Sequence, residues 1–136
     1  MAHETVLDFV RANPHAVLAT YRRDGQAQLS PVGAAVDAEG RVVISTREGA
    51  MKTLNLRRTP RAALCVISQQ FFGEWHSLEG PVEIVSLPDA MEPLVDYYRR
   101  ISGEHPDWNE YREAMVRERR VLLRITVDRS GPTAQG

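Results

Sequence analysis

A single cysteine, Cys65, in 136 residues leaves no partner for an internal disulfide, which excludes a disulfide-stapled scaffold. Structural zinc sites need four ligands at short spacing, and His3, His15, His76 and His105 never approach metal-pair spacing, so no metal is expected. No apolar run approaches the ~20 residues of a membrane-spanning helix. A Gly-rich dinucleotide fingerprint, a phosphate loop and a nucleophile elbow are all missing. The opening Met1-Ala2-His3-Glu4-Thr5 lacks the basic and apolar character of an export signal, so the expected location is the cytoplasm. Lysine is almost absent too: every basic residue except Lys52 is arginine. The net charge of −1 gives no overall attraction to nucleic acid or an acidic membrane, and neither partner is expected.

What remains is an ordinary globular composition, 43% apolar and 26% charged, long enough for one domain with its own core. Residues 1–136 are read as a single unit, with 130–136 as a frayed tail. Val6, Phe9 and Val10 recur at helical spacing before Asn13-Pro14. Residues 16–21 form a strand that turns at Arg23-Asp24-Gly25 into an extended segment over 26–36. A strand over 41–46, a short helix ending at Thr59-Pro60, and strands over 62–67 and 75–85 come next, the last bent at Gly80-Pro81. Met91, Leu94, Val95, Tyr98 and Ile101 mark an amphipathic helix, Trp108, Tyr111 and Met115 a shorter one, and 121–127 a last strand. Six strands joined mostly by hairpins, with helices inserted singly, fit a mainly β antiparallel barrel with short peripheral helices.

Charge is unevenly spread. Residues 41–61 carry Arg41, Arg47, Lys52, Arg57, Arg58 and Arg61 against Glu48 alone, either a solvated face or a local anion site. Within that block, Ser45-x-x-Glu48 has the pattern of a capping box, which predicts a helix start there. Unpaired amides at a helix start, the Ser45 and Thr46 hydroxyls and the Lys52 ammonium together suit a phosphate. The competing reading has Ser45 only capping the helix and Lys52 only pairing with Glu48 at i, i+4. Cys65, inside an apolar strand, reads as a small hydrophobe.

Several stretches resemble one family. The run from Lys52-Thr53-Leu54-Asn55-Leu56 to Thr59-Pro60-Arg61-Ala62 resembles the lysine–leucine–proline segment of the pyridoxamine 5'-phosphate oxidase-like flavin proteins. Val17-Leu18-Ala19-Thr20, Asp24-Gly25 and Gln28-Leu29-Ser30-Pro31-Val32 resemble that superfamily's first hairpin, and Leu78-Glu79-Gly80 a later strand. Gly103-Glu104-His105-x-Asp107-Trp108-x-x-Tyr111-Arg112, with Arg120-Val121-Leu122-Leu123, is similar to its actinobacterial branch that uses the deazaflavin coenzyme F-420. The resemblance implies a split β-barrel, the FMN-binding split barrel, paired as a homodimer with cofactor sites between subunits. It implies that Gln28, Ser30 and Val32 lie along the ring, and that Ser45, Thr46, Met51 and Lys52 hold the ribityl and phosphate end with Asn55 nearby. Trp75 would reach the ring from the partner chain or line the substrate pocket.

Two departures narrow the activity. Pyridoxamine phosphate oxidases carry an arginine just before the lysine where this chain has Met51, and they end in an arginine- and tryptophan-bearing segment that this chain lacks. The resemblance therefore implies F-420-dependent hydride transfer to a small unsaturated molecule, with FMN as the alternative cofactor and a non-catalytic flavin-like binding module as the alternative role. The cofactor carries the chemistry, so no catalytic residue is assigned; Tyr21 and Ser77 are the hydroxyls considered as proton donors.

Overall fold

The computed structural model describes residues 3–135. Four helices, α1 (Glu4–Ala12), α2 (Met51–Arg58), α3 (Met91–Ser102) and α4 (Trp108–Arg117), accompany eight strands. The strands are β1 (His15–Tyr21), β2 (Ala27–Gly33), β3 (Ala35–Val36), β4 (Val42–Arg47), β5 (Arg61–Ile67), β6 (Glu74–Val85), β7 (Arg120–Ile125) and β8 (Arg129–Gln135). All pairings are antiparallel, in the order β2-β1-β5-β6-β7-β4-β3, with β8 on the free edge of β6. The sheet curls into a split β-barrel, and the mainly β expectation holds.

The strand count differs from the expected six. The extended segment over 26–36 breaks at Ala34, whose amide turns aside to donate to the Pro14 carbonyl at 2.7 Å, so β3 pairs with β4 instead of β1. The segment read as a frayed tail is a strand as far as Gln135, because the long β6 would otherwise leave an edge unpaired; Gly136 lies outside the described residues.

Burial follows the sequence pattern. Alternating residues on β1 and β5 send Leu18, Leu64 and Val66 into the barrel core with Leu56 of α2 and Val6 and Val10 of α1. The continuous runs Val42-Val43-Ile44 and Val121-Leu122-Leu123 are buried on both faces. Val42, Ile44, Val121 and Leu123 face the barrel, whereas Val43 and Leu122 pack outward against Leu94, Val95, Tyr111 and Met115 of α3 and α4. Asp107 caps α4 by accepting the Glu110 amide at 3.1 Å.

Strand β6 changes partners at the expected bend. Its first half pairs with β5 up to Pro81, and from Val82 onward it pairs with β7. The chain leaving β7 crosses closely there, with the Thr126 amide donating to Pro81 at 3.1 Å and the Asp128 amide to Glu79 at 3.0 Å. A Cβ on Gly80 would collide with the Thr126 carbonyl, and backbone cannot yield as a side chain can. Gly80→Ala is therefore expected to destabilise the fold by about 3 kcal/mol. Gly49→Ala, where a Cβ meets open space, should stay within ~0.5 kcal/mol of the parent in the same urea-unfolding measurement.

Candidate functional site

The β4–β7 ladder sets where the site begins. Ser45 pairs with Leu122, Thr46 with Val121 and Arg47 with Arg120, and the Glu48 amide extends the ladder to the Arg119 carbonyl at 2.8 Å. Ser45 and Thr46 are thus strand residues, and the expected capping box does not form. Helix α2 starts at Met51 after Ala50, which offers no side-chain cap, and the Thr53 hydroxyl ties the helix back to the Arg47 carbonyl at 2.7 Å. The Glu48 carboxylate goes to Arg57 instead of Lys52, which removes the i, i+4 pairing as an account of the lysine.

Val32, Ser45, Thr46 and Lys52 converge on one cavity of about 410 Å³, together with Arg47 and Arg120. Lys52 is half-buried and has no carboxylate within ion-pairing distance among the described residues. Burial, and then the neighbouring Arg120 charge, hold its ammonium below the usual lysine range. Arg47 and Arg120 sit directly opposite each other, an unfavourable arrangement relieved by Glu118. That carboxylate accepts from Arg120 at 2.9 Å and pairs with Arg47 at 3.5 Å, and chiefly the Arg120 hydrogen bond keeps it below the usual carboxylate range. Arg47 and Arg120 share one carboxylate and Lys52 pairs with none among the described residues, a surplus of positive charge that suits an anion such as a phosphate.

The rest of the expected site lies along β2. Gln28, Ser30 and Val32 are paired with Thr20, Leu18 and Ala16 and share their face of the sheet, a row about 13 Å long at ~3.3 Å per residue. Ser30 Oγ is buried without a hydrogen-bond partner among the described residues. It lines neither the Lys52 cavity nor the one at Gln28, an orphaned group that lies between the two on the row and that a polar ligand edge would satisfy. Lys52 and Ser30 thus fit a cofactor with a phosphate at one end and a polar-edged ring at the other.

Gln28, Met51 and Asn55 line a second cavity of about 460 Å³. Asn55, 2% exposed, donates to Thr20 Oγ1 at 3.2 Å and accepts from Arg58 at 2.9 Å, and Thr20 Oγ1 donates to Gln28 Oε1 at 3.2 Å. Asn55 thus fixes α2 against the first hairpin. Trp75, half-buried on β6 opposite Ile67, lines neither cavity. Ser77 is engaged with β8, its hydroxyl donating to the Pro132 carbonyl at 2.8 Å.

Most of the basic block is neutralised. Arg41 pairs with Asp37, Arg57 with Glu48, and Arg61 with both Asp128 and Glu79. Sequence reasoning missed Arg120 and Tyr97. The Tyr97 hydroxyl donates to the Gly33 carbonyl at 2.9 Å at the rim of the Lys52 cavity, and burial pushes its pKa up, so it stays protonated. The signal for Arg120 was the antiparallel pairing of a strand that ends in arginine with one that begins in arginine; Tyr97 had none beyond its helical spacing. Cys65 is half-buried, and burial pushes its thiol up, away from the reactive thiolate. Among the described residues no three His, Cys, Asp or Glu side chains gather as a metal site, and no helix is long and apolar enough to cross a membrane.

Comparison with known proteins agrees with this architecture. A conserved hypothetical protein of Mycobacterium tuberculosis superposes with a TM-score of 0.77 at 29% identity, over 96% of this chain and 82% of that one. An F-420 reductase superposes with a TM-score of 0.69 at 21% identity, over 96% and 97%. An FMN-binding protein from Nostoc punctiforme, related to pyridoxamine 5'-phosphate oxidase, gives 0.66 at 14%, over 94% and 81%. The family model described as Pyridoxamine 5'-phosphate oxidase matches residues 2–133, and the chain belongs to that family.

Proposed function

We propose that this chain is a cytoplasmic homodimeric oxidoreductase of the F-420-using branch of its family, transferring a hydride between coenzyme F-420 and a small unsaturated organic substrate. The observation that carries the reading is Lys52, a half-buried ammonium with no ion-pair partner among the described residues, held beside Arg120 in the cavity that also contains Ser45 and Thr46. Lys52 and Arg120 would hold the phosphate, and the Ser45 and Thr46 hydroxyls would donate to its oxygens. Gln28, Ser30 and Val32 would flank the ring, with Ser30 Oγ gaining the hydrogen bond it lacks. The bound coenzyme supplies the hydride chemistry; the protein orients it and excludes water.

Coenzyme choice rests on the part of the molecule beyond the phosphate. F-420 is a phosphodiester that continues into lactate and glutamates, so its site must stay open on that side. Arg47, with 61% of its side chain exposed, stands at that rim as a cation for the tail. The similarity to an F-420 reductase over nearly the whole chain supports the same choice. Two observations favour FMN: the similarity to an FMN-binding protein, and Arg120 beside Lys52, which restores the second phosphate prong that Met51 removes. Met51 itself, 57% exposed, lines the other cavity.

The homodimer draws support from apolar surface on the elements that carry the site. Leu29 of β2 and Met51 and Leu54 of α2 are 63%, 57% and 46% exposed, and a partner covering them would deepen two open cavities into a cofactor cleft. Static light scattering at micromolar concentration should give twice the chain mass; a monomer that still binds its cofactor contradicts the pairing.

Lys52→Ala should weaken coenzyme binding by roughly ten- to a hundredfold, equivalent to ~1.5–3 kcal/mol for a charge-assisted contact. Because burial and Arg120 lower the Lys52 pKa, affinity should fall as pH rises, beginning below the range where an ordinary lysine deprotonates. Fluorescence titration in the parent and the variant across pH measures both effects. Titration of the parent with F-420 and with FMN, at low and high salt, tests the choice between them. Tighter F-420 binding that weakens with salt is expected; tight FMN binding without F-420 binding overturns it.

A further inference from the structure

The second cavity carries a charge pattern that the coenzyme site does not use. Arg22, Arg23 and Arg58 line it, and Asp24 is the one carboxylate there. Several other arginines are matched to acids, Arg11 to Asp8, Arg100 to Asp96, Arg112 to Glu92 and Arg124 to Glu83, whereas Arg117, Arg119 and Arg129, unmatched among the described residues, line no cavity with these three. Arg22, Arg23 and Arg58 have no carboxylate within ion-pairing distance among the described residues. Asp24 is turned to its own hairpin, accepting the Gln26 amide at 3.0 Å. Arg58 is pre-positioned by two neutral acceptors, the Tyr21 carbonyl at 3.0 Å and Asn55 Oδ1 at 2.9 Å. Chain acids are plentiful, so three unmatched guanidinium groups at one cavity mark a place for an anion brought from outside.

The same cavity has an apolar side. Met51, 57% exposed, lies on its wall beside Gln28, and thioether surface suits a flat apolar body. Gln28 begins the β2 row whose other end, Val32, lies in the Lys52 cavity. A coenzyme held by its phosphate at Lys52 and lying along that row would present its ring towards Gln28.

We propose that Arg22, Arg23 and Arg58 form a carboxylate-binding subsite next to the ring end of the coenzyme, so that the substrate is an unsaturated organic acid. Its carboxylate meets the guanidinium groups while its apolar body lies on Met51, with the conjugated bond towards Gln28. This substrate class rests on the proposed coenzyme site, but the anion subsite stands on its own geometry. A carboxylate could also arrive on the glutamate tail of F-420, and the test separates the two sources.

The probes are cinnamate and its methyl ester, titrated against the coenzyme-free protein by ligand-observed NMR, with Arg22→Ala/Arg23→Ala as the variant. Arg117→Ala, an exposed arginine on α4, is the control for loss of charge. Cinnamate is expected to bind the parent at least tenfold more tightly than the ester. The double variant should lose about tenfold in cinnamate affinity, the combined loss of two exposed charge contacts, while its ester affinity and the control remain unchanged. F-420 affinity should be the same in parent and double variant. Equal binding of acid and ester, no saturable cinnamate binding, or no effect of the double variant overturns the subsite. A fall in F-420 affinity with cinnamate binding untouched assigns the arginines to the coenzyme tail and also overturns it. If cinnamate binding depends on Arg22 and Arg23 but F-420 does not bind at all, the coenzyme reading fails and the anion subsite survives.

Discussion

The ladder between β4 and β7 is the constraint on which core and candidate site both depend. Its residues are buried on two faces, so the register is fixed from both sides: a one-residue slip would exchange Ile44 with Val43 and Leu123 with Leu122 between the barrel and the α3–α4 layer. That register places Arg47 opposite Arg120 and leaves Ser45 and Thr46 beside the cavity. Helix α2 is then tied to the strand by Thr53 and to the first hairpin by Asn55, which puts Lys52 over the arginine pair. Apolar packing thus holds together charges that would otherwise separate.

Electrostatics divides the surface into satisfied and unsatisfied regions. Ion pairs such as Arg61 with Asp128 and Glu79 are exposed and add little to stability, but they occupy cations that composition alone would assign to an anion site. Lys52 is different because half-burial and Arg120 both disfavour its charge, so an incoming phosphate relieves a penalty already present in the fold. The hairpin arginines gain less per contact, being exposed, and serve recognition more than tight holding.

Legibility followed the physics of each signal. The doubly buried runs, the Asp24-Gly25 turn and the bend at Gly80-Pro81 depend on local chemistry and could be read directly. The helix start could not: Ser45-x-x-Glu48 has the capping pattern, but the strand ladder competes for the same backbone groups and wins. Strand β8 was missed because Ser130-Gly131-Pro132 has weak strand propensity and pairs only because β6 offers an edge. Of the candidate site, Lys52, Ser45 and Thr46 share a cavity that the residue pattern suggested, joined by Val32, which the resemblance placed along the ring, while Arg120 enters only through the β4–β7 pairing of residues distant in sequence. Asn55 lies near Lys52, yet its hydrogen bonds serve the hairpin.

A crystal structure with coenzyme F-420 bound tests the central claim most directly, through the position of the phosphate. A phosphate oxygen is expected within ~3.2 Å of Lys52 Nζ, with Arg120 on the same group and the glutamate tail leaving past Arg47. A phosphate seated instead among Arg22, Arg23 and Arg58, with Lys52 still unpaired, would contradict that claim.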